Sequence, residues 1–184
     1  MARTPSNMLP LGTQVPDFTL LNTLSNEQVS FQSISGDKPT LVMFICNHCP
    51  FVIHLHEGFQ KLYKDYQGQI NFVAISSNDA LNYPDDRPEL MGELFNHLSL
   101  DFPYLYDENQ SIAQLFDAAC TPDFYLLDDS NKLIYRGQFD GSRPGNDIPV
   151  TGNDLRLAVD VALIGIVLLD NQQKPSLGCN IKWK

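Results

Sequence analysis

The chain has 184 residues, and its 22 acidic and 12 basic side chains give a formal net charge of −10. This length fits one domain over residues 1–184 with a sizeable hydrophobic core. The negative charge argues against nucleic acid and against an anionic membrane surface as partners, because both are bound by clustered Lys and Arg side chains.

Short apolar segments bounded by Pro, Gly, Asn or Asp predict a chain with many strands. After an irregular arm over residues 1–15, the predicted strands are 18–21 and 28–31 as a hairpin, 40–45, 70–76, 102–106, and 123–128 with 132–136 as a second hairpin. The segment 40–45 is apolar on both faces, which is typical of a central buried strand.

Helices are predicted where apolar residues recur every three or four positions. The first predicted helix is 51–66, with Pro50 at its start. The second begins at residues 85–88 and extends to 98, and the last two are 112–116 and 154–163. Residues 137–150 are a predicted loop, and residues 171–184 a C-terminal tail. Strand–helix–strand units require parallel strands with right-handed crossovers, and the last hairpin adds antiparallel strands. We therefore predict an α/β fold with a mixed sheet flanked by helices, an N-terminal hairpin extension and a C-terminal tail.

The segment Cys46-Asn47-His48-Cys49-Pro50 falls where the central strand ends and a helix begins. Unpaired backbone N–H groups and the helix dipole meet at that position, and both stabilise a thiolate. Cys49 is therefore the predicted nucleophile, and a protonated His48 beside it would lower the pKa of its thiol further. Cys46 has the spacing needed to form a disulfide with Cys49 after local turn formation.

The same cysteine pair has two other interpretations. A metal site would combine Cys46 and Cys49 with His54 or His56, but no second C-x-x-C or H-x-x-x-H motif completes it. Alternatively, both cysteines are small apolar core residues. Redox or nucleophilic chemistry is favoured, because two cysteines around a histidine at a strand-to-helix junction are not a random core pattern. We predict no bound metal.

The start of the chain has no apolar segment typical of a secretory leader, and the longest apolar run, residues 163–169, is too short to span a membrane. We therefore expect a cytoplasmic protein with no membrane partner. In that reducing compartment, four cysteines indicate catalysis or metal binding rather than structural disulfides. No G-x-G-x-x-G fingerprint occurs, so we predict no flavin or nicotinamide cofactor.

Two further motifs flank the cysteine loop. Residues 12–18, Gly-Thr-Gln-Val-Pro-Asp-Phe, are similar to the G-x-x-A-P-D-F opening of peroxiredoxins and redoxins. Residues 121–126, Thr-Pro-Asp-Phe-Tyr-Leu, resemble the thioredoxin segment that carries a cis proline. With the cysteine loop, these motifs make nearly the whole chain resemble the thioredoxin superfamily and, within it, the peroxiredoxin-like redoxins.

This resemblance implies a thioredoxin fold with a cis peptide bond at Pro122, opposite the nucleophile, where the proline helps to shape the substrate groove. Cys49 matches the first thioredoxin cysteine, whereas Val52 stands in the place of the second. The partner thiol must then come from elsewhere. Cys46 is the first candidate, and Cys120, two residues before Pro122, is the second.

We predict a thiol-disulfide oxidoreductase that acts on a disulfide-bearing protein or a peroxide. An external thiol reductant then returns its cysteines to the reduced form. The first alternative is a thiol peroxidase with an antioxidant role. In this chain Cys46 replaces the Thr of the peroxidatic P-x-x-x-T-x-x-C motif, and Arg136 or Arg143 would supply the cation. The second alternative is a metal-binding module. Cys179, in the tail, is a further thiol that can fold back over the site.

Overall fold

The structure is a computed structural model that describes residues 3–184. Its strands, in chain order, are β1 Thr4–Pro5, β2 Thr19–Asn22, β3 Glu27–Ser30, β4 Thr40–Phe44, β5 Asn71–Ser76, β6 Tyr104–Tyr106, β7 Cys120–Thr121, β8 Asp123–Leu127, β9 Leu133–Gly137 and β10 Leu177–Asn180. Its α-helices are α1 Pro50–Ile53, α2 His56–Tyr66, α3 Pro88–Leu98, α4 Ser111–Leu115 and α5 Asn153–Leu163. Short 3₁₀ turns occupy Phe31–Ser33, Pro84–Asp86 and Asp170–Gln172.

The main sheet of the described residues has seven strands in the order β3-β2-β6-β5-β4-β8-β9. Strand β5 runs parallel to both β4 and β6, and the other pairs are antiparallel. A second, small sheet has the order β1-β10-β7. The predicted mixed α/β sheet and the N-terminal hairpin are confirmed.

Strand β4 lies at the centre of the molecule because both of its faces are covered. Leu41 and Met43 pack into one apolar cluster, which contains residues of α1, α2, α3 and α5. Val42 and Phe44, which point the other way, pack into a second cluster with α4 and the N-terminal segment. These two layers place the C-terminal end of β4, and the cysteine loop that follows it, at the middle of one sheet edge.

The predicted helix over residues 51–66 is two helices in the structure. The helical hydrogen bonding changes just after Ile53. There the backbone N–H of Leu55 donates to the carbonyl oxygen of Val52, three residues back, instead of four residues back as in an α-helix. The imidazole of His54 bonds the Ser142 hydroxyl at 2.7 Å at the same point. Helix α1 therefore ends at Ile53, and α2 begins at His56.

The C-terminal segment 171–184 differs from the predicted tail, because it contains a strand held on both sides. Thr4 and Pro5 pair with Gly178 and Leu177, and Cys179 and Asn180 pair with Thr121 and Cys120. In the part of the chain that the structure describes, no helix is long and apolar enough to cross a membrane.

Candidate active site

The cysteine loop lies between β4 and α1. Cys49 is the residue immediately before α1, and Pro50 occupies the first helical position, where a missing N–H leaves no hydrogen bond unmade. The side chains of Cys46 and Cys49 are buried, with 1 % and 0 % relative exposure. The four cysteines carry no disulfide.

The sulfur of Cys49 lies among three other groups. It is 3.1 Å from the carbonyl oxygen of Thr121, and the peptide bond from Thr121 to Pro122 is cis, as the resemblance implied. Hydrogen bonds from the Cys46 thiol, which contribute most, and from the side chain and backbone of Cys179 lower the pKa of Cys49 to about 5. These donors outweigh burial, which raises the pKa. Cys49 is therefore the thiolate of the site at neutral pH.

Cys46 is the protonated neighbour of this thiolate. Its sulfur is 3.5 Å from the hydroxyl of Thr121. Donation to Cys49, burial and the negative charge of Asp86 all raise the pKa of the Cys46 thiol. Cys46 therefore holds its proton for as long as Cys49 is charged.

Cys120 is close in sequence to the cis proline, but its thiol has a different neighbour. It is fully buried in β7, and its sulfur lies 3.8 Å from the carbonyl oxygen of Pro122. Burial raises the pKa of this thiol far above its usual range. No hydrogen bond from Cys120 contributes to the lowered pKa of Cys49.

Cys179, to which the sequence gave no definite role, is brought to Cys49 by β10. Its backbone is paired with Thr121, whose carbonyl oxygen contacts the Cys49 sulfur. Burial, donation to Cys49 and the charge of that thiolate raise the pKa of Cys179 to about 12. The structure thus places two thiols, Cys46 and Cys179, within hydrogen-bonding reach of the Cys49 sulfur.

His48 pairs with a carboxylate that the sequence analysis did not single out. The imidazole Nδ1 of His48 is 2.7 Å from Oδ2 of Asp86, and the ring stacks on Tyr83 with centroids 5.9 Å apart. Asp86 is fully buried and also accepts hydrogen bonds from the backbone N–H groups of Asn47 and His48 and from the amide of Asn78. Asp86 lies two residues before Pro88, where acidic residues are common at the start of a helix. The sequence therefore gave little indication that Asp86 binds the cysteine loop.

The donor atoms of Cys46, His48 and Asp86 lie within 4.8 Å of one another, a set that fits a small metal ion by residue type. Both oxygens of this carboxylate already have protein neighbours. Oδ1 accepts hydrogen bonds from the backbone N–H groups of Asn47 and His48, and Oδ2 accepts one from the Asn78 amide at 2.7 Å and lies 2.7 Å from the His48 imidazole. The predicted alternative with His54 or His56 is not the arrangement found among the described residues. His54 bonds Ser142, and His56 lies against the Phe59 ring.

The two arginines suggested as cations lie in different surroundings. The guanidinium of Arg136 is bound by the carbonyl oxygen of Leu9, by Gln173 and by the carboxylate of Asp170. Arg143 lines a small pocket next to Pro122 and lowers the pKa of Cys120 by its charge. Arg143 is therefore the one of the two that the fold places beside the cis proline.

Comparison with known proteins gives a consistent result. The Redoxin family model matches residues 10–155. The thiol-disulfide oxidoreductase YkuV of Bacillus subtilis (strain 168) is 23 % identical over 128 residues, which are 68 % of this chain and 83 % of YkuV.

Two solved structures show the same fold. A conserved protein of Geobacillus kaustophilus, described as uncharacterized, is 50 % identical with a TM-score of 0.95, over 100 % of this chain and 97 % of that one. The peroxidoxin BcpB of Mycobacterium tuberculosis, at 16 % identity, has a TM-score of 0.62 over 86 % of this chain and 98 % of that one. The predicted thioredoxin fold is confirmed.

Proposed function

The chain belongs to the redoxin family, and we propose that it is a thiol-disulfide oxidoreductase in which Cys49 is the attacking thiolate. The observation that carries this proposal is the pair of thiols beside the Cys49 sulfur. Donation from Cys46 and Cys179 keeps the pKa of Cys49 near 5, so the sulfur is ionised at neutral pH. A low pKa also makes Cys49 a good leaving group when a thiol attacks the other sulfur of a disulfide that Cys49 has formed.

The first step joins the protein to its substrate. The Cys49 thiolate attacks one sulfur of a substrate disulfide, a new S–S bond forms, and the other substrate sulfur leaves as a thiolate. In the second step Cys46 gives up its proton and attacks the Cys49 sulfur, and the remaining substrate sulfur leaves. The substrate has gained two electrons, and the protein holds a Cys46–Cys49 disulfide that an external thiol reductant returns to two thiols.

Cys46 is preferred to Cys120 as the resolving thiol because it already donates a hydrogen bond to the Cys49 sulfur. The Cys120 thiol is directed at the carbonyl oxygen of Pro122 instead. The negative charge of the Cys49 thiolate helps to hold the proton on Cys46, and that charge disappears when Cys49 enters a mixed disulfide. Formation of the first bond therefore prepares Cys46 for the second step.

Peroxidase chemistry would use the same sulfur, which a peroxide would oxidise to a sulfenic acid. The peroxidatic motif expects a hydroxyl three residues before the nucleophile, and this chain has Cys46 there. A thiol at that position suits disulfide formation, so disulfide exchange is the better supported reaction. An antioxidant role belongs to this peroxidase alternative. A cytoplasmic location is part of the main proposal, because disulfide exchange in this protein depends on reducing thiols.

The test is reduction of oxidised glutathione under excess dithiol, with single Cys→Ser variants. We expect Cys49→Ser to lower kcat/KM by about 100-fold or more, because it removes the nucleophile. Cys46→Ser should form no Cys46–Cys49 disulfide and should turn over more slowly than wild type, whereas Cys120→Ser should stay within about threefold of wild type. Full activity of Cys49→Ser, or faster consumption of hydrogen peroxide than of the disulfide, would contradict the proposal.

A further inference from the structure

Strand β10 covers the nucleophile. It lies between β1 and β7, and its residue Cys179 is paired with Thr121 beside the Cys49 sulfur. The Cys49 side chain has no solvent exposure, and Cys179 has 5 %. A disulfide of a partner protein therefore cannot reach the Cys49 sulfur while the groups that cover it, Cys179 of β10 among them, stay in place.

The strand is fastened at both ends by hydrogen bonds. Ser176 exchanges two of them with Ser6, one from each backbone N–H, at 2.9 and 3.0 Å. Beyond the strand, the Ile181 N–H donates to the carbonyl oxygen of Ala119 at 3.1 Å. The Lys182 N–H donates to the side-chain oxygen of Asn78 at 2.8 Å. The middle of the strand, where Cys179 lies, is thus held at a fixed distance from β7.

Gly178 permits this close approach. A Cβ atom at residue 178 would lie 2.0 Å from the carbonyl oxygen of Thr121, a distance that real Cβ atoms do not adopt. Any larger residue would push the strand away from β7 and carry the Cys179 sulfur away from Cys49. The contact between the two cysteines therefore depends on a glycine at this position.

Cys179 is in direct contact with the nucleophile. Both its thiol and its backbone N–H donate to the Cys49 sulfur. Cys49 consequently accepts hydrogen bonds from two thiols, Cys46 of its own loop and Cys179 from the far end of the chain. A thiol in this position is placed to attack any disulfide that Cys49 forms.

We propose that Cys179 is a second partner thiol of Cys49, and that the disulfide between them fastens strand β10 over the active site. The inference rests on the proposed function, since it requires that Cys49 first react with a disulfide. In the step itself, Cys179 loses its proton and attacks the Cys49 sulfur of the mixed disulfide. The substrate sulfur leaves and takes up a proton, so the protein gains one S–S bond and the substrate is reduced to thiol.

The charges around the two partner thiols make Cys179 able to compete with Cys46 once Cys49 is in a disulfide. Two of the influences that raise its pKa, donation to the Cys49 thiolate and the charge of that thiolate, are lost when Cys49 is in a disulfide. The positive charge of Lys182 then continues to lower the pKa of Cys179, whereas the negative charge of Asp86 continues to raise that of Cys46. Burial still opposes ionisation of both thiols.

The closed form has a defined route of reopening. When Cys46 attacks the Cys49 sulfur, a Cys46–Cys49 disulfide forms and Cys179 leaves as a thiolate that takes up a proton. An external thiol reductant also releases Cys179, because it attacks the Cys49 sulfur and forms a mixed disulfide with it. The strand is then held by hydrogen bonds alone, and a new substrate can displace it.

The test uses the full chain with Cys46→Ser, treated with one equivalent of oxidised glutathione, quenched by alkylation and mapped by peptide mass spectrometry. We expect a Cys49–Cys179 disulfide with release of both glutathione sulfurs. Adding Cys120→Ser should leave this product unchanged, and adding Cys179→Ser should leave glutathione on Cys49. A stable glutathione adduct on Cys49 with Cys179 alkylated would overturn the inference and leave the proposed function intact. A Cys49 that takes up no glutathione would overturn both.

A second comparison tests the role of the strand without changing a cysteine. In the Cys46→Ser background, Gly178→Ala should slow closure of the Cys49–Cys179 disulfide by about tenfold or more, because the strand is displaced from β7. The matched control is Gly141→Ala, whose Cβ would make only an ordinary 3.6 Å contact with Ile148. Closure at equal rates in the two variants would show that the position of β10 does not govern the reaction.

Discussion

At the scale of single residues, the charge state of Cys49 is set mainly by other thiols. The sequence suggested that the helix start and a protonated His48 would stabilise the thiolate. In the structure the largest contribution is donation from Cys46, and Cys179 adds to it. The His48 imidazole is turned to Asp86, 2.7 Å away. The pKa of Cys49 therefore depends first on Cys46 of the same loop and also on the distant segment that carries Cys179.

The first prediction concerns the hydrogen bond from the Cys46 thiol to the Cys49 sulfur. Alkylation of wild-type Cys49 by iodoacetamide should rise with pH to a plateau, with its midpoint near pH 5, because only the thiolate reacts. Cys46→Ala removes the main donor, so the midpoint should move up by about one pH unit or more. The rate at each pH is measured by quenched peptide mass spectrometry.

Cys120→Ala is the matched control for that experiment. It removes a buried thiol of the same size that does not donate to Cys49, so the midpoint should stay where it is in wild type. If both variants shifted the midpoint equally, general loosening of the core, rather than the Cys46 hydrogen bond, would explain the change.

At the scale of elements, the cysteine loop is held by the turn that precedes α3. This turn, Pro84–Asp86, carries the buried carboxylate to which the backbone of Asn47 and both the backbone and ring of His48 are bound. The loop and the turn are separated by a helix pair and a strand in the chain. Their contact therefore belongs to the packing of elements and not to any local preference.

The second prediction follows from that contact. Asp86→Ala leaves buried donors of the loop without a partner, so the free energy of unfolding should fall by about 2–4 kcal/mol. Urea denaturation at neutral pH measures the change. Asp85→Ala is the control, because Asp85 is exposed and contributes only its carbonyl oxygen to Asn47. Equal loss in the two variants would mean that the buried carboxylate has no special role.

At the scale of the whole molecule, one buried acid makes stability depend on pH. Asp123 follows the cis proline, is fully buried and is paired in the sheet with Phe44. Burial raises the pKa of its carboxyl to about 7, against hydrogen bonds from Tyr125 and Ser176 that lower it. In the unfolded chain the carboxyl has its ordinary pKa near 3.8. The folded state therefore binds one more proton than the unfolded state between these values, and its stability falls as pH rises through them.

The third prediction is a stability difference between two pH values. Asp123→Asn stays neutral, so its free energy of unfolding relative to wild type should be higher at pH 8 than at pH 5, by about 2 kcal/mol or more. Urea denaturation at both pH values tests this. The exposed Asp129→Asn serves as control and should show a constant difference from wild type. A constant difference for Asp123→Asn as well would mean that its carboxyl is ionised throughout.

Much of the fold was readable from the sequence because its signals are local. The apolar run of β4 and the Pro50 start of the helix fixed the position of the cysteine loop, and the motif at residues 121–126 indicated the cis proline. The extent of the helix over residues 51–66 was wrong, because the tight turn after Ile53 is made by packing and by the His54–Ser142 contact. Strand β10 was missed, because its Leu-Gly-Cys-Asn sequence has weak strand propensity and is a strand only through its partners.

The sequence by itself determined the family and the mixed α/β sheet, and it supplied the prediction that Cys49 is the nucleophile, since each depends on residue type and short spacing. Only the tertiary structure decided which groups surround that sulfur. Cys179 and Asp86 come from segments 130 and 37 residues away in the chain, and they reach the loop through strand pairing and a buried turn. Contacts over such separations depend on the packing of the whole chain, and a short motif carries no record of them.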